Sequence, residues 1–274
     1  GLSYKEIANK GGGILNSAEK LQNTNKDELF EDALNRLNEL IRMGTGAIEI
    51  KSGYGLTMDS ELKMLRVIKR LKENTDVTIK ATFLGAHALP QEFKNNQEGY
   101  MDLVINEILP EVAKGDLADY VDIFCEDGYF TIDDTKRLLE AANKFGLQAK
   151  THVNQFNAIG GVKASVDLGA LSVDHLEEMS DKDYKALKGS NCMPTILPSC
   201  SFFLGIPYGP AREMIKKGLP VALATDYNPG SSPNGNMNFV ASLGCIILKM
   251  TPEEVINATT LNAAYAMGIE EKLG

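Results

Sequence analysis

Along most of this 274-residue chain, short runs that are largely apolar throughout alternate with segments whose apolar residues recur every three or four positions. The short runs lie at 46–50, 78–84, 120–125, 148–153, 171–175, 191–196 and 220–225. The segments between them carry helix signals. Met58, Leu62, Leu65, Ile68 and Leu71 form one apolar stripe, and Leu138, Leu139, Ala142 and Phe145 form another. Thr131-Ile132-Asp133-Asp134 and Ser180-Asp181-Lys182-Asp183 open helices in capping-box style, and Gly146 and Gly189 fall where those helices should stop. Thr251-Pro252-Glu253-Glu254 starts a helix expected to run into Ala263 and Ala264. Strands that do not alternate, each followed by a helix, belong to a parallel sheet covered by helices. The choice is between an open doubly wound sheet and a closed β/α barrel. No G-x-G-x-x-G or G-x-x-x-x-G-K-[ST] loop follows any strand, and Gly11-Gly12-Gly13 follows none. A barrel is therefore expected, with seven strands visible and one unit unaccounted for.

Composition excludes some partners. A net charge of −9 and a pI near 5.0 argue against nucleic acid or an anionic membrane, whose binding needs clustered Lys and Arg. The longest apolar run, 241–248, is far shorter than the ~20 residues of a membrane-spanning helix. The start, Gly1-Leu2-Ser3-Tyr4-Lys5-Glu6-Ile7, lacks a basic region followed by an apolar one. Cys125, Cys192, Cys200 and Cys245 form no C-x-x-C, as expected of reduced thiols in a cytoplasmic protein. No internal repeat or linker interrupts the chain, so one domain over 1–274 is expected, with 226–238 as an ordered functional loop.

Polar residues gather at the C-terminal ends of the strands, the end at which a parallel barrel builds its chemistry. There are only three histidines, and all three end strands: His87 after Thr82-Phe83-Leu84-Gly85-Ala86, His152 after Ala149-Lys150-Thr151, and His175 after Ser172-Val173-Asp174. Asp226 follows Ala224-Thr225 in the same way, and Lys51-Ser52-Gly53-Tyr54-Gly55 follows Glu49-Ile50. One such histidine alone reads as a packed core residue; three with Asp226 at matching ends read as a site. Cys125 beside Glu126 and Asp127 reads as an unreactive thiol, Tyr54 is balanced between packing and substrate contact, and Lys69-Arg70 and Lys216-Lys217 read as solvated helix faces. Imidazole and carboxylate at separate strand ends suit one zinc or iron ion, which brings a bound water toward a pKa of ~7 and so favours hydrolysis.

These strand ends also carry a resemblance. Glu49-Ile50-Lys51-Ser52-Gly53-Tyr54-Gly55-Leu56, Thr82-Phe83-Leu84-Gly85-Ala86-His87, Ser172-Val173-Asp174-His175-Leu176, Ala224-Thr225-Asp226-Tyr227-Asn228-Pro229-Gly230-Ser231-Ser232-Pro233 and Thr260-Leu261-Asn262-Ala263-Ala264 resemble the imidazolonepropionase family of the amidohydrolase superfamily along nearly the whole chain. The resemblance implies a TIM-like (β/α)8 barrel of the metal-dependent hydrolase type, and hydrolytic ring opening of 4-imidazolone-5-propanoate to N-formimidoyl-L-glutamate in histidine degradation. It implies one divalent metal, Zn2+ or Fe2+/Fe3+, on His152 and Asp226. His175 would orient or deprotonate the water, and Tyr54, His87, Gln155, Asn228, Gly230 and Ser231 would contact substrate. Gln155 stands where some relatives carry Glu, and an amide cannot accept a proton, so base work falls to His175 or Asp226.

The superfamily's His-x-His is absent from this sequence. Residues 1–45, with Tyr4-Lys5-Glu6-Ile7 and Gly11-Gly12-Gly13-Ile14-Leu15, resemble the segment after the first strand, and 268–274 resemble the point where relatives enter a small β-sandwich. The expectation is a barrel with strands two to eight, truncated at both ends, self-associating, weak in metal binding and inactive alone, from a full-length homodimer. Two other readings stand beside it: another mononuclear amidohydrolase, such as a purine or pyrimidine deaminase, and a metal-free barrel with vestigial histidines.

Overall fold

The computed structural model describes residues 14–273; the expectations placed on residues 1–13, Gly11-Gly12-Gly13 among them, lie outside the described residues. Strands β1 (Ala47–Lys51), β2 (Thr78–Ala86), β3 (Tyr120–Cys125), β4 (Gln148–Val153), β5 (Ser172–His175), β6 (Met193–Ile196) and β7 (Ala222–Leu223) form one parallel sheet in the order β1-β2-β3-β4-β5-β6-β7. Each strand pairs only with its neighbours in sequence, as in a β/α barrel. Among the described residues β7 is not bonded to β1, so the sheet curls without closing. The edge has a measurable effect: all six residues of β3 are buried, whereas all five of β1 are only partly so.

The helices cover the outer face. Helix Met58–Glu73 begins at Thr57, whose side chain accepts from the Ser60 N–H, and it buries Leu62, Leu65, Ile68 and Leu71. Helix Ile132–Lys144 has the expected capping box between Thr131 and Asp134 and buries Leu138, Leu139 and Ala142. Phe145, expected on that stripe, is instead the C-cap and is 46% exposed. The buried residues of both helices form the main core with Val121, Ile123, Ile108 and Leu109, each buried Leu, Ile or Val contributing about 1.5–3 kcal/mol of hydrophobic stabilisation. Between helices Gln97–Leu103 and Leu109–Lys114 the run widens into a π turn, Val104–Ile108. Pro110 has no N–H and its ring would crowd a normal α turn, and the extra residue accommodates it.

Two elements differ from the sequence expectation. β7 is two residues long rather than six, because Pro220 cannot donate to the ladder and β7 has a partner on one side only. The last helix is two, Pro252–Thr259 and Leu261–Ala266, broken at Thr260. There the Thr259 and Thr260 hydroxyls donate to the carbonyls of Val255 and Ile256, competing with the helix ladder. No helix of the described residues is long and apolar enough to cross a membrane.

Candidate active site

The sheet's interior holds two tiers of ionisable groups. In the lower tier Lys51 Nζ lies 2.8 Å from Glu49, 2.7 Å from Asp122 and 3.3 Å from Asp174. Lys150, 2% exposed, reaches Glu49 at 2.5 Å and donates to the Ala266 carbonyl at 2.8 Å. Burial raises the Glu49 pKa, but Lys150 and Lys51 outweigh it and hold the carboxyl down at about 2. Burial opposes ionisation of Asp122 too, and the charges of His152 and Lys51 keep it far below the usual carboxylate range. Thr82 donates to Glu49, and Ser172 donates to Asp174. Each charge here has a partner.

The upper tier is the mouth. One donor atom from each of His152, His175 and Asp226 lies within 4.8 Å of the others, at the ends of β4 and β5 and just beyond β7. His152 turns Nδ1 toward Asp122 Oδ2, 2.9 Å away, which leaves Nε2 as the nitrogen for a ligand. His175 turns Nδ1 toward Glu177 Oε2, 3.6 Å away. Burial disfavours the imidazolium, yet Glu177 raises the His175 pKa well above its ordinary value. The backbone is strained around this mouth. Five of the seven non-glycine residues with positive φ among those described, Leu56, Asn154, His175, Leu176 and Asp226, sit at these strand ends. Such strain persists only where surrounding structure enforces it, and it gathers at functional sites.

Tyr54 and His87 meet edge to face, with ring centroids 5.1 Å apart. The Gly53 carbonyl can only accept, so the 3.0 Å contact from His87 places its proton on Nδ1. Burial, reinforced by nearby His152, lowers the His87 pKa to about 4. The Gly53-Tyr54-Gly55 segment wraps a buried carboxylate: Glu61, in the first turn of helix Met58–Glu73, accepts from the N–H groups of Gly53 (2.9 Å), Gly55 (2.7 Å) and Leu56 (2.9 Å). Gly53 has φ +102°, and a Cβ there would stand 2.7 Å from the Leu84 carbonyl oxygen.

Gln155 is buried beside Cys200, with Nε2 3.5 Å from Sγ. Asn228, Gly230 and Ser231 are adjacent to Asp226 but are engaged with one another. Asn228 Oδ1 accepts from the Gly230 and Ser231 N–H groups at 2.9 and 2.8 Å, and Asn228 Nδ2 donates to the Asp226 carbonyl at 2.6 Å. The Ser231 hydroxyl is engaged in the same way, accepting from Asn228 Nδ2 at 2.9 Å and donating to Asn228 Oδ1 at 3.2 Å, so these donors shape the loop rather than point at the mouth. Tyr54, His87, His152, Gln155, His175, Asp226, Asn228, Gly230 and Ser231 all line one cavity of about 1280 Å³, which continues down the gap between β1 and β7.

Sequence reasoning passed over Asp122, Glu61 and Glu177, which fix the orientation of the others. A signal existed for the first: Asp122 interrupts the apolar Tyr120-Val121-Asp122-Ile123-Phe124, just as Glu49, Lys51, Lys150 and Asp174 interrupt theirs.

A parallel sheet in chain order with imidazole and carboxylate donors at its C-terminal rim is the architecture of metal-dependent hydrolases. The amidohydrolase family model matches residues 21–274, and the chain belongs to that family. Within it, the chain is 64% identical over 274 residues to an imidazolonepropionase of Christiangramia forsetii and 62% identical to one of Flavobacterium johnsoniae. Each alignment covers all of this chain and 67% of the relative. Among solved structures, a zinc-bound adenosine deaminase from Xanthomonas campestris is similar at TM-score 0.72 and 14% identity, covering 100% of this chain and 64% of that one, a likeness of fold.

Proposed function

We propose that this chain forms the larger part of the catalytic barrel of an enzyme that hydrolyses 4-imidazolone-5-propanoate to N-formimidoyl-L-glutamate in histidine degradation. The observation that carries the reading is the convergence of His152, His175 and Asp226 donors within 4.8 Å at the rim of a cavity also lined by Tyr54, His87 and Gln155. Relatives named imidazolonepropionase at 62–64% identity favour this substrate over a purine or pyrimidine.

The donor set fits a single divalent ion. The His152 imidazole and the Asp226 carboxylate suit Zn2+ or Fe2+, and Asp122 behind His152 supplies the carboxylate–histidine support such ligands use. His152 and Asp226 would hold the ion, which would polarise the ring carbonyl and acidify water. Asp226 takes a proton from the attacking water, and His175, held as an imidazolium by Glu177, is the proton donor. The water oxygen bonds to the ring carbonyl carbon, the ring C–N bond breaks, His175 gives its proton to the leaving nitrogen, and exchange with solvent moves the proton on Asp226 off and restores the imidazolium. Tyr54 and neutral His87 flank the ring, while Gln155 and the loop of Asn228, Gly230 and Ser231 line the pocket beside it. Gln155 cannot act as base, and of His175 and Asp226 the raised pKa of His175 leaves that role with Asp226.

We place the protein in the cytoplasm, a reading supported by four free cysteines, and take the full-length form to be a homodimer. The chain spans about two thirds of the length of its curated relatives, and the remaining ligands of the ion are proposed to lie outside these 274 residues. The test compares the full-length gene product with this chain alone, following loss of imidazolone absorbance and metal content. Turnover by the full-length protein and weak metal retention by the chain alone are expected. Full activity of the chain alone overturns the divided site, and turnover of guanine or cytosine in place of the imidazolone overturns the substrate.

A further inference from the structure

Behind the mouth lies a second group of donors. His175, Glu177 and Cys200 are 3%, 6% and 0% exposed, and one donor atom from each lies within 4.8 Å of the other two. Two of the few buried polar atoms without a hydrogen-bond partner in the described residues, His175 Nδ1 and Glu177 Oε2, belong to this group and face each other. Their separation of 3.6 Å is too long for a good hydrogen bond. It is close to the roughly 3.3–3.4 Å between two ligands that each stand about 2.0–2.1 Å from one tetrahedral ion. Neighbouring groups hold the donors in place. Ser201 Oγ donates to Glu177 Oε1 at 3.0 Å, leaving Oε2 free, and Gln155 Nε2 is directed at Cys200 Sγ.

We propose that His175 Nδ1, Glu177 Oε2 and Cys200 Sγ form an accessory site for a thiophilic divalent cation, Zn2+ or Cd2+, distinct from the ion expected between His152 and Asp226. The donor set is a nitrogen, an oxygen and a sulfur, a combination that zinc and cadmium accept and magnesium or calcium do not. Coordination displaces the Sγ proton and any proton on Nδ1 to solvent. One thiolate, one carboxylate and a neutral imidazole then cancel the ion's two charges, which suits a buried position. His175 lines the cavity, which gives the ion its way in.

The site shares His175 with the mouth, and there the inference rests on the proposed function. An imidazole coordinated through Nδ1 is neutral, with its one remaining proton on Nε2, and no longer serves as the imidazolium that protonates the leaving nitrogen. Excess zinc or cadmium therefore inhibits the enzyme through Cys200, while the ion at the mouth stays in place.

The test titrates the full-length protein, already carrying its resident metal, with Cd2+ alone and follows sulfur-to-cadmium charge-transfer absorption. The mouth offers no sulfur, so its ion is silent in this signal. One thiolate's worth of absorption per chain is expected, absent in Cys200→Ser and unchanged in Cys245→Ser. Glu177→Gln, which keeps the side-chain shape, should weaken cadmium uptake roughly tenfold or more while retaining the band. No band, or a band that survives Cys200→Ser, overturns the site; should Cys200→Ser fail to fold, an unchanged affinity in Glu177→Gln overturns it instead. Cadmium bound at Cys200 without loss of turnover keeps the accessory site and removes His175 from the proposed chemistry.

Discussion

The two tiers of ionisable groups inside the sheet share carboxylates, set against lysines below and histidines above, and differ in how they are satisfied. In the lower tier every ion faces an opposite charge: Lys51 among Glu49, Asp122 and Asp174, and Lys150 against Glu49. In the upper tier buried atoms lack hydrogen-bond partners, His175 Nδ1 and Glu177 Oε2 among them, and the backbone at His175 and Asp226 is strained. A closed network holds the barrel interior together, whereas an incomplete one is a place for something else to bind. Stability and function are thus separated by one or two residues along the same strands, Lys150 from His152 on β4 and Asp174 from His175 on β5.

Substitutions can break that separation. The largest effect is expected of Asp226→Asn in the metal-loaded full-length protein: turnover falls ~10³-fold or more, about 4 kcal/mol of transition-state stabilisation, while the urea midpoint of the chain hardly changes. A large fall in the midpoint would show that the upper tier also carries stability. Lys150→Met should act in the opposite way. It removes one of the two lysines that neutralise Glu49 and the donor to the Ala266 carbonyl, and costs about 3–5 kcal/mol in denaturant unfolding; an unchanged midpoint would mean that the lower tier is not the structural one.

Gly53→Ala is expected to cost about 1–3 kcal/mol, because the new Cβ meets the Leu84 carbonyl and the positive φ disfavours any side chain. The same denaturant curves measure it. Acid provides a finer test. The Glu49 pKa falls from 4.5 unfolded to about 2 folded, so its stabilisation is complete above pH 4.5 and disappears as pH drops toward 2. Unfolding free energy should decline across that window, and Lys150→Met should flatten the decline. Smallest of all, Asp226→Gly should stabilise the chain by up to about 1 kcal/mol, since glycine tolerates φ +51°; a loss of stability there would show that the Asp226 carboxylate holds the loop.

The barrel order and the strand-end histidines were legible in the sequence because they depend on local pattern: apolar runs, helix caps and the polar residues that end each strand. The short β7 and the break at Thr260 were not, since one depends on the absence of a second strand partner and the other on hydroxyls competing for helix carbonyls. The orienting carboxylates were the larger omission. Glu61 lies in an ordinary amphipathic helix, and only folding brings it under the Gly53-Tyr54-Gly55 backbone. Glu177 reads as one of two acidic residues before a helix until His175 and Ser201 close on it. Asn228 and its neighbours were legible as a loop, but the direction of their hydrogen bonds, toward each other, was set by the turn they make.

The sheet's order follows the order of synthesis, each strand adding to the one before it. The donors at the mouth emerge in turn, His152, then His175, and Asp226 only in the last fifth of the 274 residues. A chain arrested or cleaved just before Asp226 would keep all seven strands but lose Val240, Leu248, Met250, Val255 and Ala258 from the core and the Ala266 carbonyl from Lys150, and so expose apolar surface to the cell's quality control. It would carry only two of the three converging donors at its mouth.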